Sequence, residues 1–128
     1  MAKLLFVDDN AGFRRSMCRA MRRAGFETDE AGDGEQACEK LGSAQYDLVV
    51  TDVFMPKMDG YEFIKALRSS HPDVPVIAVT GGFAGGYTGV LAGQVMEKFG
   101  AVSSLQKPVK ADNLVEHVKA ALNRPDDG

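Results

Sequence analysis

Residues 48–67 read LVVTDVFMPKMDGYEFIKAL, and this stretch contains a complete passage from strand to helix. Its first four residues are apolar and β-branched, which is typical of a central strand, and the strand ends at Asp52. Asp59 is placed to cap the helix that follows, with a glutamate three residues later. The helix positions that recur at the spacing of a buried face are Phe63, Ile64 and Leu67. The stretch therefore predicts a buried strand, a loop that begins at an acid, and an amphipathic helix.

The same alternation continues along the whole chain. Asn10 and Gly25 are placed to begin and end the first helix, and the mostly polar residues 26–31 suit a strand at a sheet edge. Alternating strands and helices predict an α/β fold with one doubly wound parallel sheet and helices on both faces. The predicted strands are 3–7, 26–31, 48–51, 75–79 and 102–106; helices are predicted to begin near residues 10, 33, 59 and 90, and the inward positions of a last helix fall between 114 and 122.

Composition limits the class of protein. The chain has 128 residues, 45% of them hydrophobic and 26% charged, which fits one globular domain. No apolar run approaches the roughly 20 residues that span a bilayer, and the N-terminus does not resemble a signal peptide. We expect a cytoplasmic protein with no membrane partner, and the net charge of −3 argues against direct nucleic-acid binding. Residues 1–123 are predicted to form the domain, and residues 124–128 a polar tail or the start of a linker.

Chemically useful side chains follow four of the predicted strands. These residues are Asp8, Asp9, Asp52, Thr80 and Lys107. The carboxyl ends of parallel strands share one edge of the sheet, so the side chains should converge there. Two carboxylates about 4 Å apart repel by roughly 4 kcal/mol at an effective dielectric near 20. Mg²⁺ would relieve this repulsion, and the same set of groups suits phosphoryl transfer to a carboxylate.

Four sequence motifs, taken together and in their order along the chain, resemble those of response-regulator receiver domains, including single-domain receivers of the chemotaxis type. The resemblance covers residues 3–122 and implies a flavodoxin-like sheet of order 2-1-3-4-5. The segments that carry it are Val7-Asp8-Asp9-Asn10, residues 50–60 (VTDVFMPKMDG), Val76-Ile77-Ala78-Val79-Thr80-Gly81 and Lys107-Pro108.

The resemblance implies a role for each site residue. Asp52 would accept a phosphoryl group from a sensor histidine kinase or a phosphotransfer protein, and a downstream protein target would read the result. Such a domain is a signalling phosphoacceptor, with only self-catalysed transfer and dephosphorylation. The remaining implied roles are Mg²⁺ binding by Asp8, Asp9, Asp52 and the Phe54 carbonyl, phosphoryl binding by Lys107, Thr80 and Gly81, and a cis bond before Pro108.

The first helix carries five arginines that we expect on its outer face. In the family this helix often lies against the helical bundle of the kinase, so we expect a docking surface here. A solvated basic face is the alternative. The predicted docking residues are Arg14, Arg15, Met17 and Arg22.

The sequence departs from the family between residues 80 and 107. Six of the thirteen residues from 81 to 93 are glycine, which disfavours a helix there. Ser104 stands where the family usually has a switch aromatic. We hypothesise that Phe83 or Tyr87 replaces that aromatic, so that ordering of the long loop is the signal.

Three rival functions stay open at this point. A haloacid-dehalogenase-type phosphatase also uses an aspartyl phosphate, but it needs a second acid where this chain has Phe54. A flavodoxin-like cofactor binder would need a hydroxyl-rich loop after the first strand. A pseudo-receiver that only binds proteins is favoured by Ser104 and disfavoured by the complete acidic and basic set.

Overall fold

The computed structural model describes residues 2–53, 60–80 and 101–123 of the chain. The helix predicted near residue 90, the cap at Asp59 and the tail at 124–128 lie outside these residues. Within them, the chain alternates five strands with four helices. The strands are β1 (Lys3–Val7), β2 (Glu27–Ala31), β3 (Leu48–Asp52), β4 (Val76–Thr80) and β5 (Ser103–Gln106). The helices are α1 (Ala11–Arg23), α2 (Gly34–Ser43), α3 (Gly60–Ser70) and a C-terminal helix (Ala111–Leu122).

The strands form one parallel sheet in the order β2-β1-β3-β4-β5. This order confirms the predicted fold class, including the edge position of the polar strand β2. The register pairs Val7 with Thr51 and Asp52 with Val79, so β1, β3 and β4 end nearly level with one another. Residues that follow these strands are therefore brought to the same edge of the sheet.

Local signals in the sequence set the ends of the first two helices. The Asn10 side chain accepts a hydrogen bond from the Phe13 N–H at 3.0 Å and caps α1. Gly25 has φ +101°, in the left-handed region that favours glycine, and it follows the last turn of α1. Asp33 caps α2 by accepting the Gln36 N–H at 2.8 Å. These caps satisfy backbone groups that a helix leaves unpaired at its ends.

Apolar side chains cover both faces of the sheet because alternate strand residues point to opposite sides. One face is covered by α1 and the C-terminal helix, and the other by α2 and α3. The first core includes Leu4, Phe6, Met17, Met21, Val50, Ile77 and Leu114. The second includes Leu5, Val7, Ala37, Val49, Phe63, Ile64 and Leu67. Buried polar residues are few among the described residues, and most of them lie where strands end: Asp8, Thr51, Asp52 and Thr80.

Candidate phosphoacceptor site

Three carboxylates meet at the carboxyl ends of β1 and β3. Asp8 is fully buried and Asp52 is 5% exposed, whereas the adjacent Asp9 is exposed to solvent. One ligand oxygen from each lies within 4.8 Å of the others. The backbone holds two of the carboxylates, because Asp8 Oδ1 accepts the Asn10 N–H at 2.9 Å and Asp52 Oδ1 accepts the Val53 N–H at 2.7 Å. The predicted convergence of these three acids is confirmed.

Lys107 supplies a positive charge to this cluster from the end of β5. Its Nζ lies 2.9 Å from Asp8 Oδ2 and 3.5 Å from Asp52 Oδ2. Burial alone would lower the pKa of Lys107, but contacts with the Asp8 and Asp52 carboxylates outweigh it and raise the pKa above its ordinary value. The Lys107-Pro108 peptide bond is cis, as the family resemblance implied. The lysine is therefore fully charged at neutral pH and lies next to two acids.

Thr80 ends the neighbouring strand and is tied to Lys107 through the backbone. Its carbonyl accepts the Lys107 N–H at 2.7 Å, and its hydroxyl lies 3.4 Å from the Leu105 carbonyl that it donates to. Thr80 is 1% exposed. The hydroxyl and the ammonium thus occupy the ends of two adjacent strands, as the sequence predicted.

Arg14 takes part in the site's framework instead of a docking surface. Its Nη1 donates to the Asp8 carbonyl at 2.7 Å, and its Nε donates to Glu30 Oε1 at 3.0 Å. Its side chain is only 14% exposed. The prediction that Arg14 lies on the outer docking face is wrong, because the guanidinium reaches from the first turn of α1 to the ends of β1 and β2.

Met17 also belongs to the interior. It is 7% exposed and packs with the core beneath α1, so its predicted place in a docking surface is wrong as well. The helical spacing that places Phe13 inward also carries Met17 inward, one turn later. Arg15 and Arg22 are both exposed, and Arg22 donates to the Thr28 carbonyl at 2.7 Å.

Several predicted residues lie outside the described part of the chain. They are Phe54, Gly81, Phe83 and Tyr87. Ser104 lies in β5, the edge strand next to β4, and is half-buried. The replacement of the switch aromatic, missing at Ser104, by Phe83 or Tyr87 stays a prediction.

Phe13 is a neighbour of the site that the sequence did not reveal. The Lys107 ammonium lies 4.4 Å from the centroid of the Phe13 ring. The two residues are 94 positions apart, and the sequence pattern marks Phe13 only as part of the buried face of α1. Its contact with Lys107 depends on how α1 lies against the end of β5.

Comparisons with known proteins agree with this geometry. The family model described as "Response regulator receiver domain" matches residues 4–119. Response regulator MprA of Mycolicibacterium vanbaalenii is 34% identical over 98% of this chain, and the match covers 53% of that protein. The chain thus spans about half the length of these curated relatives, although the matches cover nearly all of the chain itself. None of the helices in the described residues is long and apolar enough to cross a membrane.

Two solved structures show the same fold. A response regulator receiver domain protein from Clostridium thermocellum superimposes with a TM-score of 0.87, at 26% identity, over 97% of this chain and 96% of that one. The chemotaxis response regulator CheY4 of Vibrio cholerae superimposes with a TM-score of 0.80, at 31% identity, over 94% and 98%. With its sheet order, its acidic cluster and the family match over most of its length, the chain belongs to the response regulator receiver domains of two-component systems.

Proposed function

We propose that Asp52 is the phosphoacceptor of this receiver domain and takes a phosphoryl group from a phosphohistidine on a sensor histidine kinase or phosphotransfer protein. The observation that carries the proposal is the position of the Asp52 carboxylate, which is nearly buried at a strand end, beside Asp8 and 3.5 Å from the Lys107 ammonium. A carboxylate in such a place can act as a nucleophile while neighbouring groups neutralise the charge on the transferred group.

The chemistry at Asp52 follows from its two oxygens. Oδ1 accepts the Val53 N–H, whereas Oδ2 faces the Lys107 ammonium. In the proposed transfer one carboxylate oxygen attacks phosphorus, the phosphorus–nitrogen bond of the phosphohistidine breaks, and its electron pair returns to the imidazole. Lys107 binds the phosphoryl oxygens, and the Thr80 hydroxyl donates a hydrogen bond to one of them. The product is an acyl phosphate on Asp52.

The acidic cluster fits a divalent cation with oxygen ligands. The donor set contains only carboxylates, which Mg²⁺ prefers. Asp8 Oδ2 is buried and accepts no well-formed hydrogen bond, although the Lys107 ammonium lies 2.9 Å away. Asp9 and Asp52 would hold Mg²⁺ together with the Phe54 carbonyl, and Asp8 would assist through water. When bound, the ion would neutralise charge on the phosphoryl oxygens.

The segment after β4 would report phosphorylation of the domain to its protein target. We propose that phosphorylation draws Thr80 and Gly81 toward the phosphoryl group, and that Phe83 or Tyr87 supplies the aromatic group that Ser104 lacks. Ordering of this segment would then present a surface to a downstream protein target. Residues 1–123 are proposed as the domain and residues 124–128 as a tail or the start of a linker.

Recognition of the kinase would use the exposed basic face of α1. Arg15 is exposed, and Arg22 keeps 48% of its side chain exposed beside its bond to Thr28. These arginines would face acidic groups on the partner. The proposed surface leaves out Arg14, which is half-buried, and Met17, which is buried.

Intact-mass measurement tests the proposal. Wild type, Asp52→Asn and the control Asp112→Asn are incubated with acetyl phosphate and Mg²⁺; Asp112 is exposed on the C-terminal helix. Wild type and the control should each gain the mass of one phosphoryl group, which hydroxylamine should remove because it cleaves acyl phosphates. Asp52→Asn should gain none, and a chelator should prevent the gain in wild type and in the control. Labelling of Asp52→Asn equal to wild type would refute the assignment, and failure of wild type to gain a phosphoryl group would favour a pseudo-receiver.

A further inference from the structure

The Lys107 ammonium contacts an aromatic ring as well as two carboxylates. Two of its contacts are with carboxylate oxygens, of Asp8 at 2.9 Å and of Asp52 at 3.5 Å. The third is with the ring of Phe13, whose centroid lies 4.4 Å from Nζ. A cation within about 6 Å of an aromatic centroid is attracted by the ring's electrons. The three contacts together leave the Lys107 side chain 21% exposed.

The Phe13 ring is itself held in place. Phe13 lies in the first turn of α1, and its N–H donates to the capping oxygen of Asn10 at 3.0 Å. Its ring packs against Phe6, with the centroids 6.1 Å apart and the planes inclined by 58°. Phe6 is 1% exposed and lies inside β1. The ring is thus anchored to the strand that ends just before Asp8, and it offers Lys107 a fixed partner.

We propose that Phe13 is a positioning residue for Lys107, which it holds at the phosphoryl site. The inference rests on the proposed function of Asp52 and deepens it. A lysine side chain has four flexible carbons, so its ammonium needs contacts that restrict it. Its two carboxylate contacts change during the reaction, because Asp52 becomes an acyl phosphate and a cation would share the oxygens of Asp8. The contact with the Phe13 ring does not depend on these charges, so it keeps Lys107 in position before and after transfer.

The ring also forms a wall beside the lysine. Phe13, Lys107, Pro108 and Val109 line one surface pocket next to the site. Pro108 follows the cis bond and is exposed, and Val109 packs against the same core as Phe13. The contact between the ring and the ammonium therefore borders a pocket at the protein surface, and its strength is that of an exposed cation–π contact.

The first test compares Phe13→Leu, which keeps an apolar side chain but removes the ring, with Phe13→Tyr, which keeps the ring. The rate of phosphorylation by acetyl phosphate with Mg²⁺ is followed by intact mass. We expect Phe13→Leu to be slower by about two- to fivefold, as the loss of one exposed cation–π contact predicts. Phe13→Tyr should retain the wild-type rate. Equal rates for wild type and Phe13→Leu would overturn the proposal.

A double-mutant cycle separates positioning of Lys107 from a general structural effect. In a Lys107→Met background there is no ammonium for the ring to hold, so Phe13→Leu should cause no further loss of rate. The same two- to fivefold loss in that background would show that Phe13 acts through the fold, and the proposal would be wrong. Urea unfolding of each variant gives its folded fraction, and Phe13→Met supplies the ring-free comparison if Phe13→Leu is unfolded.

A measurement that needs no phosphorylation completes the test. Because Lys107 Nζ lies 4.4 Å from the ring centroid, the adjacent ε-methylene protons should be shifted upfield in NMR spectra of wild type and Phe13→Tyr, and returned toward the ordinary lysine position in Phe13→Leu. Identical shifts in all three proteins would refute the contact. If wild type accepts no phosphoryl group, the proposed function of Asp52 fails, while this comparison still decides whether Phe13 holds Lys107.

Discussion

Replacing Asp9 by asparagine removes one of the three clustered charges and keeps the shape of the side chain. The ligand oxygens of the cluster lie within 4.8 Å of one another. At that separation two unit charges repel by about 3.5 kcal/mol at an effective dielectric near 20, and by about 1 kcal/mol in bulk water. Because Asp9 is exposed and Lys107 offsets part of the repulsion, the lower value applies. Without divalent cations, we expect Asp9→Asn to raise the free energy of unfolding by about 1 kcal/mol.

Magnesium should reverse this order of stability. An ion that binds only the folded state stabilises it by about 2.7 kcal/mol when its concentration is about 100 times the dissociation constant. Wild type should gain this amount, whereas Asp9→Asn has lost a charged ligand and should gain much less. The variant would then be more stable than wild type in a chelator and less stable in saturating Mg²⁺.

Urea unfolding in the two conditions measures both differences. Glu39→Gln is the matched control, since Glu39 is exposed on α2, away from the cluster, and its replacement also removes one negative charge. The control should respond to Mg²⁺ as wild type does. Lower stability of Asp9→Asn than of wild type in the chelator would refute the expected charge repulsion, and equal stabilisation of the two proteins by Mg²⁺ would refute the role of Asp9 as a ligand.

Two further predictions concern residues around the site and the core. Arg14→Met removes two charge-assisted hydrogen bonds and should lower the free energy of unfolding by about 1–3 kcal/mol in urea titrations. Arg14→Lys should recover part of this loss. A change below about 0.5 kcal/mol for Arg14→Met would contradict the prediction. In the folded protein at neutral pH, iodoacetamide should modify Cys38 well before Cys18, as peptide mass mapping would show. Burial raises the pKa of both thiols, that of Cys18 to about 12, and the Cys18 side chain is also inaccessible to solvent. Modification of Cys18 before Cys38 would contradict the structure.

The fold could be predicted because periodicity and end signals agreed along the described chain. Asn10, Gly25 and Asp33 act where the sequence placed them, and the polar strand at residues 27–31 lies at the sheet edge. Some bounds moved: the sequence pattern predicts that α2 ends near Leu41, whereas the helix continues to Ser43. Helix ends of this kind depend on packing and on the next turn, which local spacing does not encode.

The site could be predicted where it depends on topology alone. In a parallel sheet the strand ends must share one edge, so Asp8, Asp52 and Lys107 converge whatever the details of packing. Arg14 was assigned wrongly because helical periodicity gives the direction of a side chain but not its reach. The Phe13 contact was missed because it depends on the placement of a helix against the end of a strand distant in sequence.

The pairing of Lys107 with Asp8 has a consequence for how the site exchanges ions. The lysine is a counterion tethered to the chain, and it lies within 2.9 Å of a carboxylate that a divalent cation would also approach. Under the proposed function, a divalent cation that binds the site therefore competes with the Lys107 ammonium for Asp8. The affinity of the site for the divalent cation is reduced by the free energy needed to weaken the contact between Lys107 and Asp8. Any contact that holds Lys107 in place, including the contact with an uncharged aromatic ring, then raises the concentration of divalent cation that the domain needs before it can be phosphorylated.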